Sequence, residues 1–206
     1  MAIFIDEADA KRIEDAIRAA EAKTRAELVT VLTPASDDYA YVALAWAAVL
    51  GLAAPFPFSL GLLPGNALYA HGAALAVAVV VLLLARLPQV LRFMVPKALM
   101  RRRASRNARA QFFAQRVRMT RDRAGVLFFV SAFEHHVEII ADDNAAAAIT
   151  DAEWQAAVDI FVKTLREQGQ AEGFLAAIAA LETLLGEKLP GDGEDRNELG
   201  DRLIVV

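Results

Sequence analysis

Apolar and polar positions change their rhythm several times along this chain, and each change marks an element. In DEADAKRIEDAIRAAEAKT (6–24), Ile13 and Ile17 recur one turn apart and Ala20 continues the stripe. That spacing predicts a helix with Asp6 or Asp9 as its cap. The β-branched stretch ELVTVLT (27–33) predicts a strand. From Tyr39 to Ala85 the alternation vanishes, because the run contains no Asp, Glu, Lys or Arg. A helix that crosses a bilayer needs about 20 apolar residues, so this run has room for two. Pro64, Gly65 and Asn66 in LLPGNAL (62–68) divide it with a tight reversal. The two arms are then Tyr41–Leu63 and Ala67–Ala85, with Pro55 and Pro57 kinking the first or ending its regular helix early. Tyr39, Tyr41, Trp46 and Tyr69 are expected near the interfaces, where amphipathic rings settle. A pair of buried core helices in a soluble protein is the alternative, but such helices usually keep a polar stripe toward solvent.

Beyond the apolar run, Ala104, Ala108, Phe112 and Met119 fall on one helical stripe and Arg102, Arg106, Arg109 and Arg116 on another. The continuous apolar run GVLFFVS (125–131) predicts a strand buried on both faces. FEHH then turns the chain into VEIIAD (137–142), where Val137 and Ile139 alternate with Glu138 and Ile140, so an antiparallel hairpin is expected. Two amphipathic helices follow. The first takes Asp151 as its cap and turns Trp154, Val158, Phe161, Val162 and Leu165 inward; the second does so with Phe174, Ile178, Leu181 and Leu185. The tail begins as a loop, and its end, Leu203–Val206, is apolar enough to dock.

The apolar share of 56% and mean hydropathy of +0.34 exceed those of a usual soluble domain. The net charge of −4 hides a strong asymmetry. Residues 86–123 carry twelve Lys/Arg and one acid, Asp122, whereas residues 1–38 carry five against nine and residues 124–206 five against sixteen. The basic block starts directly after the second apolar arm, so by the positive-inside rule its side is cytoplasmic. A hairpin returns the chain to the side it left, and both polar portions are expected there, in a two-pass protein of the bacterial inner membrane. The apolar run lies some forty residues in, behind a charged segment, and is not expected to be a signal peptide. Arg101, Arg102, Arg103, Arg106, Arg109 and Arg116 are read as the surface facing anionic headgroups, each basic residue contributing about 1 kcal/mol. Nucleic acid is the less favoured partner, because a basic patch for it needs no adjacent anchor. A protein partner or a second copy of the chain is the remaining expectation. With no cysteine, there is neither a disulfide frame nor a thiolate metal site.

Candidate chemistry is sparse. Asp142, Asp143 and Asn144 in ADDNAAAA (141–148) follow a strand, where α/β folds keep ligand sites. Adjacent carboxylates there can hold Ca²⁺ or Mg²⁺, with Glu27 and Asp122 as further ligands from neighbouring strands. The same cluster reads equally as a turn and helix cap. His135 and His136, on an extended segment, point to opposite faces and suit a solvated turn better than one metal. His71 fits an interfacial position. Ser36, beside Asp37 and Asp38, lacks a base or a glycine-rich cradle and reads as a linker.

Three stretches together resemble the TPM domain family, which includes a thylakoid acid phosphatase and a photosystem II repair protein. They are EAKTRAELVTVL (21–32), DRAGVLFFVSAFEHHVEIIAD (122–142) and GQAEGFLAAIAAL (169–181). The resemblance implies an α/β fold, a mixed sheet with helices on both faces. It also implies membrane association and, in some members, calcium binding or weak phosphatase activity. Members usually have a cleaved signal, an extracytoplasmic domain and a C-terminal anchor. Here a two-helix transmembrane hairpin interrupts the domain instead. The expected organisation is residues 1–38 as the first part of the domain, 39–88 as the hairpin, 89–189 as the second part and 190–206 as the tail. The expected role is a non-enzymatic binding or scaffolding module; the alternative is a Ca²⁺- or Mg²⁺-dependent phosphatase-like hydrolase.

Overall fold

The computed structural model describes residues 5–191, 199, 200 and 202–206. The chain divides into two compact units, Met1–Ser36 with Arg103–Val206, and Asp37–Arg102. The second unit therefore extends past the two apolar arms.

The first unit is built on a four-stranded sheet. Strands β1 (Glu27–Thr33), β2 (Gly125–Ser131), β3 (His136–Ala141) and β4 (Leu203–Val205) lie in the order β3-β2-β1-β4. β2 and β4 run parallel to β1, with Val31 level with Phe129 on one side and Ile204 on the other. β3 returns antiparallel to β2, with Ser131 facing His136 and Phe129 facing Glu138. The hairpin read from FEHH therefore forms, and the apolar chain end docks as an edge strand. The loop expected at the start of the tail falls on 192–198, outside the described residues. Every residue of β1 and β2 is buried, as the continuous apolar run of β2 requires, and β1 takes Glu27, Thr30 and Thr33 inside with its apolar residues.

Helices cover both faces of this sheet. On one face, α1 (Glu7–Glu21), α8 (Asp151–Gln168) and α9 (Gln170–Lys188) enclose the main core, which includes Ile13, Ile17, Phe128, Phe161, Phe174 and Leu181. α7 (Asp143–Ala148) adds Ala145 to it. On the other face, α6 (Lys97–Ala114) buries Ala108 and Phe112 against Val29, Val31, Leu127 and Phe129. Asp6 caps α1 by accepting from the backbone of Asp9 at 2.7 Å. The cap of α8 is Thr150 rather than Asp151: its side chain accepts from the Glu153 amide while Glu153 reaches back to the Thr150 amide. That reciprocal box satisfies two end donors at once, which Asp151 in the first turn cannot do.

Met119 also departs from its expected stripe and stands 76% exposed. α6 ends at Ala114, Arg116 takes a left-handed backbone (φ 57°), and a 3₁₀ turn over Val117–Met119 follows. The change of pitch rotates Met119 outward and puts Val117 in the core instead.

The second unit contains α2 (Ala40–Ala53), α3 (Phe56–Ser59), α4 (Ala67–Leu84), α5 (Pro88–Met94) and the start of α6. Pro55 and Pro57 break the first arm into α2 and α3, since a proline nitrogen cannot continue the hydrogen-bond ladder. Asn66 starts α4 by accepting from the amides of Leu68 and Tyr69. Ala40–Ser59 and Ala67–Leu84 are long and apolar enough to cross a membrane, with mean hydropathies of 1.7 and 2.3. No residue of α4 is buried. In α2 the buried residues include Ala43, Ala47 and Gly51, a small-residue stripe at four-residue spacing. A Cβ on Gly51 would lie 3.3 Å from the Ala74 carbonyl oxygen of α4. Contact through small residues is how apolar helices approach closely inside lipid. Tyr39, expected at an interface, is wholly buried, with a left-handed backbone at the start of α2.

Candidate functional site

Three groups of polar residues bear on function, two in the first unit and one along α6. The first gathers at the C-terminal ends of β1 and β2, the edge where α/β sheets place ligands. The Ser36 amide donates to Glu134 Oε1 at 2.9 Å, and Ser131 Oγ donates to Glu134 Oε2. Ser36 Oγ lies 2.9 Å from Ser131 Oγ and accepts from Asn107 Nδ2 of α6 at 3.4 Å. Glu134 is 8% exposed and Ser131 wholly buried. A carboxylate placed there would carry a large desolvation cost without these donors. With them it fastens the point where the chain leaves β1 to the turn after β2. Ser36, expected to be a linker, is thus part of the domain's polar core.

Beside this cluster, Glu138 of β3 accepts from Ser105 Oγ of α6 at 3.0 Å and pairs with His136 Nε2 at 2.8 Å. The His136 hydrogen bond, with help from Ser105 and the charge of Arg109, holds the Glu138 carboxyl below its usual range, against the opposing effect of burial. His135 is exposed on the turn, while His136 is half-buried on the strand, so the two do not share one ligand site.

The second group lies at the opposite end of the sheet. Asp142 follows β3 and its amide donates to the Gly125 carbonyl at 2.8 Å. Its side chain is buried, with Oδ1 3.8 Å from Arg118 Nε and Oδ2 without a hydrogen bond among the described residues. Asp143 is exposed and pairs with Arg123 Nη1 at 3.0 Å. Asn144 Nδ2 donates to the Asp122 carbonyl at 2.6 Å, and Glu27 Oε2 accepts from the Leu199 amide at 3.2 Å. Each of the two aspartates thus has an arginine as a neighbour. Among the described residues, no group of three or more His, Asp or Glu side chains converges as a metal site requires. The donor set for Ca²⁺ or Mg²⁺, which takes six or more oxygens, is not assembled by these residues.

The third group is the outer face of α6. Arg101, Arg102, Arg106 and Arg109 are exposed, Arg103 is half-buried, and Arg116 is exposed just past the helix end. Arg102, Arg106, Arg109 and Phe113 share one face at alternating four- and three-residue spacing. Phe113 is 64% exposed, so this face is basic with an aromatic ring standing among its charges. Phe113 escapes notice in the sequence because it adjoins Phe112, although the two rings point to different sides of the helix.

A family model described as the TPM domain matches residues 66–184. That range holds the second and third of the stretches quoted above and omits 21–32. A solved structure, the NMR structure of the BA42 protein from the psychrophilic bacterium Bizionia argentinensis, aligns over 100% of this chain and 98% of that one. The TM-score is 0.62 at 14% identity, which is a likeness of fold. No curated protein matches the chain. With the family match spanning more than half of its length, the chain belongs to the TPM domain family.

Proposed function

We propose that this chain is a two-pass protein of the bacterial inner membrane whose TPM domain lies on the cytoplasmic side and acts as a binding or scaffolding module. The observation that carries the reading is α4: eighteen residues without Asp, Glu, Lys or Arg, with a mean hydropathy of 2.3 and none of them buried. In water such a helix would expose far more apolar surface than a soluble protein tolerates. The twelve Lys/Arg of residues 86–123 favour the cytoplasmic orientation. The Arg102–Arg106–Arg109 face fits anionic headgroups, and Phe113 fits the boundary below them, where basic helices seat an aromatic ring.

Full-length protein in lipid nanodiscs tests this reading. Hydrogen exchange over 67–84 should be protected in discs of any composition. Over 102–116 it should slow only in discs with anionic lipid, by about fivefold per arginine seated, taking about 1 kcal/mol for each. The effect should fade with salt and weaken in Arg106→Gln/Arg109→Gln. Equal exchange in anionic and zwitterionic discs would overturn the lipid-facing role. A second reading, the Ca²⁺- or Mg²⁺-dependent hydrolase, has one feature in its favour, the buried and unbonded Asp142 Oδ2. It requires that added Ca²⁺ or Mg²⁺ slow exchange at 142–144, and that Asp142→Asn remove this. Orientation has its own check: a reporter inserted between Pro64 and Gly65 should be active outside the cytoplasm. Activity inside would reverse the topology.

A further inference from the structure

A cavity of about 240 Å³ opens on the main-core side of the sheet, at the C-terminal ends of β1 and β2. Leu32, Val130 and Val137 line it from the strands, and Phe161, Leu165 and Phe174 from α8 and α9. It is larger than the roughly 150 Å³ apolar cavity that accommodates benzene. Close packing is the rule in protein interiors, and an apolar space of this size beside the packed rings of Phe161 and Phe174 is an exception to it. Phe161 and Phe174, whose rings meet edge-on at 5.1 Å, form its aromatic wall.

The mouth is polar, and among the described residues that line it there is no carboxylate. Arg166 and Gln170 flank it from the α8–α9 corner, and the β2–β3 turn at His135 closes the other side. The corner bends at Gly169, whose φ of 100° a side-chain-bearing residue adopts only under strain. Arg166 is exposed and makes no ion pair or hydrogen bond among the described residues. Two carboxylates of the β2–β3 region are committed elsewhere: Glu134 to Ser36 and Ser131, and Glu138 to Ser105 and His136 on the other sheet face. An apolar chamber with a free guanidinium at its rim is complementary to an aliphatic chain ending in one anionic group. A guanidinium presents two parallel donors in the plane that a carboxylate accepts.

We propose that this cavity binds the hydrocarbon chain of a short- to medium-chain carboxylate, with the carboxylate on Arg166. The site lies within the first unit and stands independently of the membrane reading.

The probe is a photoactivatable diazirine analogue of octanoate, applied to the full-length protein in nanodiscs and mapped by peptide mass spectrometry. Because lipid also takes up the probe, the position of the label carries the result. Label is expected on peptides of α8 and α9, competed by octanoate at least tenfold better than by 1-octanol. Arg166→Gln, a surface change that leaves the core intact, should reduce that label severalfold. Leu165→Trp, which fills the chamber, should abolish it while labelling of 40–84 stays unchanged. Label confined to 40–84 would overturn the proposal. So would competition by 1-octanol equal to that by octanoate, or undiminished label in Arg166→Gln. Should Leu165→Trp fail to fold, the Arg166→Gln and competition results decide alone.

Discussion

Phe128→Ala should lower the stability of the sheet domain by about 3–5 kcal/mol, the usual range for deleting a buried aromatic ring. Phe128 is wholly buried at the middle of β2. Its ring meets Phe161 at 5.3 Å and Phe174 at 5.8 Å, both edge-on, so three elements close around one side chain. Truncation removes the transfer free energy of the ring, leaves a hole that α8 and α9 cannot both collapse into, and breaks two favourable edge-to-face contacts. At about 2–4 °C per kcal/mol for a chain of this size, the melting midpoint should fall by on the order of 10 °C. Near-UV circular dichroism of the detergent-solubilised protein reads this directly. Phe113→Ala supplies the contrast, since its ring stands outside the core and the change should stay within about 0.5 kcal/mol. Equal shifts for the two variants would contradict the packing described for α6 and β2.

The second large effect comes from adding a single methyl group. A Cβ at Gly125 would lie 2.0 Å from the carbonyl oxygen of Val117 and 3.0 Å from its carbonyl carbon. Those are backbone atoms of the turn after α6, so no rotamer change relieves the clash. Nor can β2 retreat, because Gly125 is level with Glu27 of β1 and its carbonyl accepts from the Asp142 amide. Val117 is itself wholly buried. Gly125→Ala should therefore cost at least about 3 kcal/mol, the upper end for overpacking a core. Urea denaturation should show an earlier midpoint, and trypsin should cut faster in the arginine-rich segment 116–123, whose turn must shift. A loss below about 1 kcal/mol would mean that the turn moves freely.

Neither residue stands out as unusual in the sequence. Phe128 is one of several apolar residues in GVLFFVS, and Gly125 reads as the ordinary first residue of that strand. The periodicity that located the strand describes neighbours along the chain. The clash at Gly125 depends on how closely the turn over 117–119 passes the strand. Met119 illustrates the same limit: a helical stripe can be extrapolated only as far as the helix lasts, and α6 stops at Ala114.

What the sequence determined by itself was whatever depends on short-range pattern and on solvent. The charge-free run from Tyr39 to Ala85, its dividing turn and the breaks at Pro55 and Pro57 follow from composition and backbone chemistry alone. So do the buried strands, the β2–β3 hairpin and the inward faces of α1 and α9, because burial imposes periods of two and of 3.6 on the residue pattern. The tertiary structure alone decided the polar partnerships. Ser36, Asn107, Ser131 and Glu134 are scattered over nearly a hundred positions, and only the parallel register of β1 and β2, with α6 packed on the sheet, brings them together. Likewise Asp142 and Asp143 read as a pair of neighbouring ligands, but burial sends one inward beside Arg118 and leaves the other outside on Arg123. The physical reason is one of range. An apolar side chain needs only to leave water, and any core will receive it, whereas a buried polar group needs a particular partner at about 3 Å, and that partner's position is a property of the whole fold.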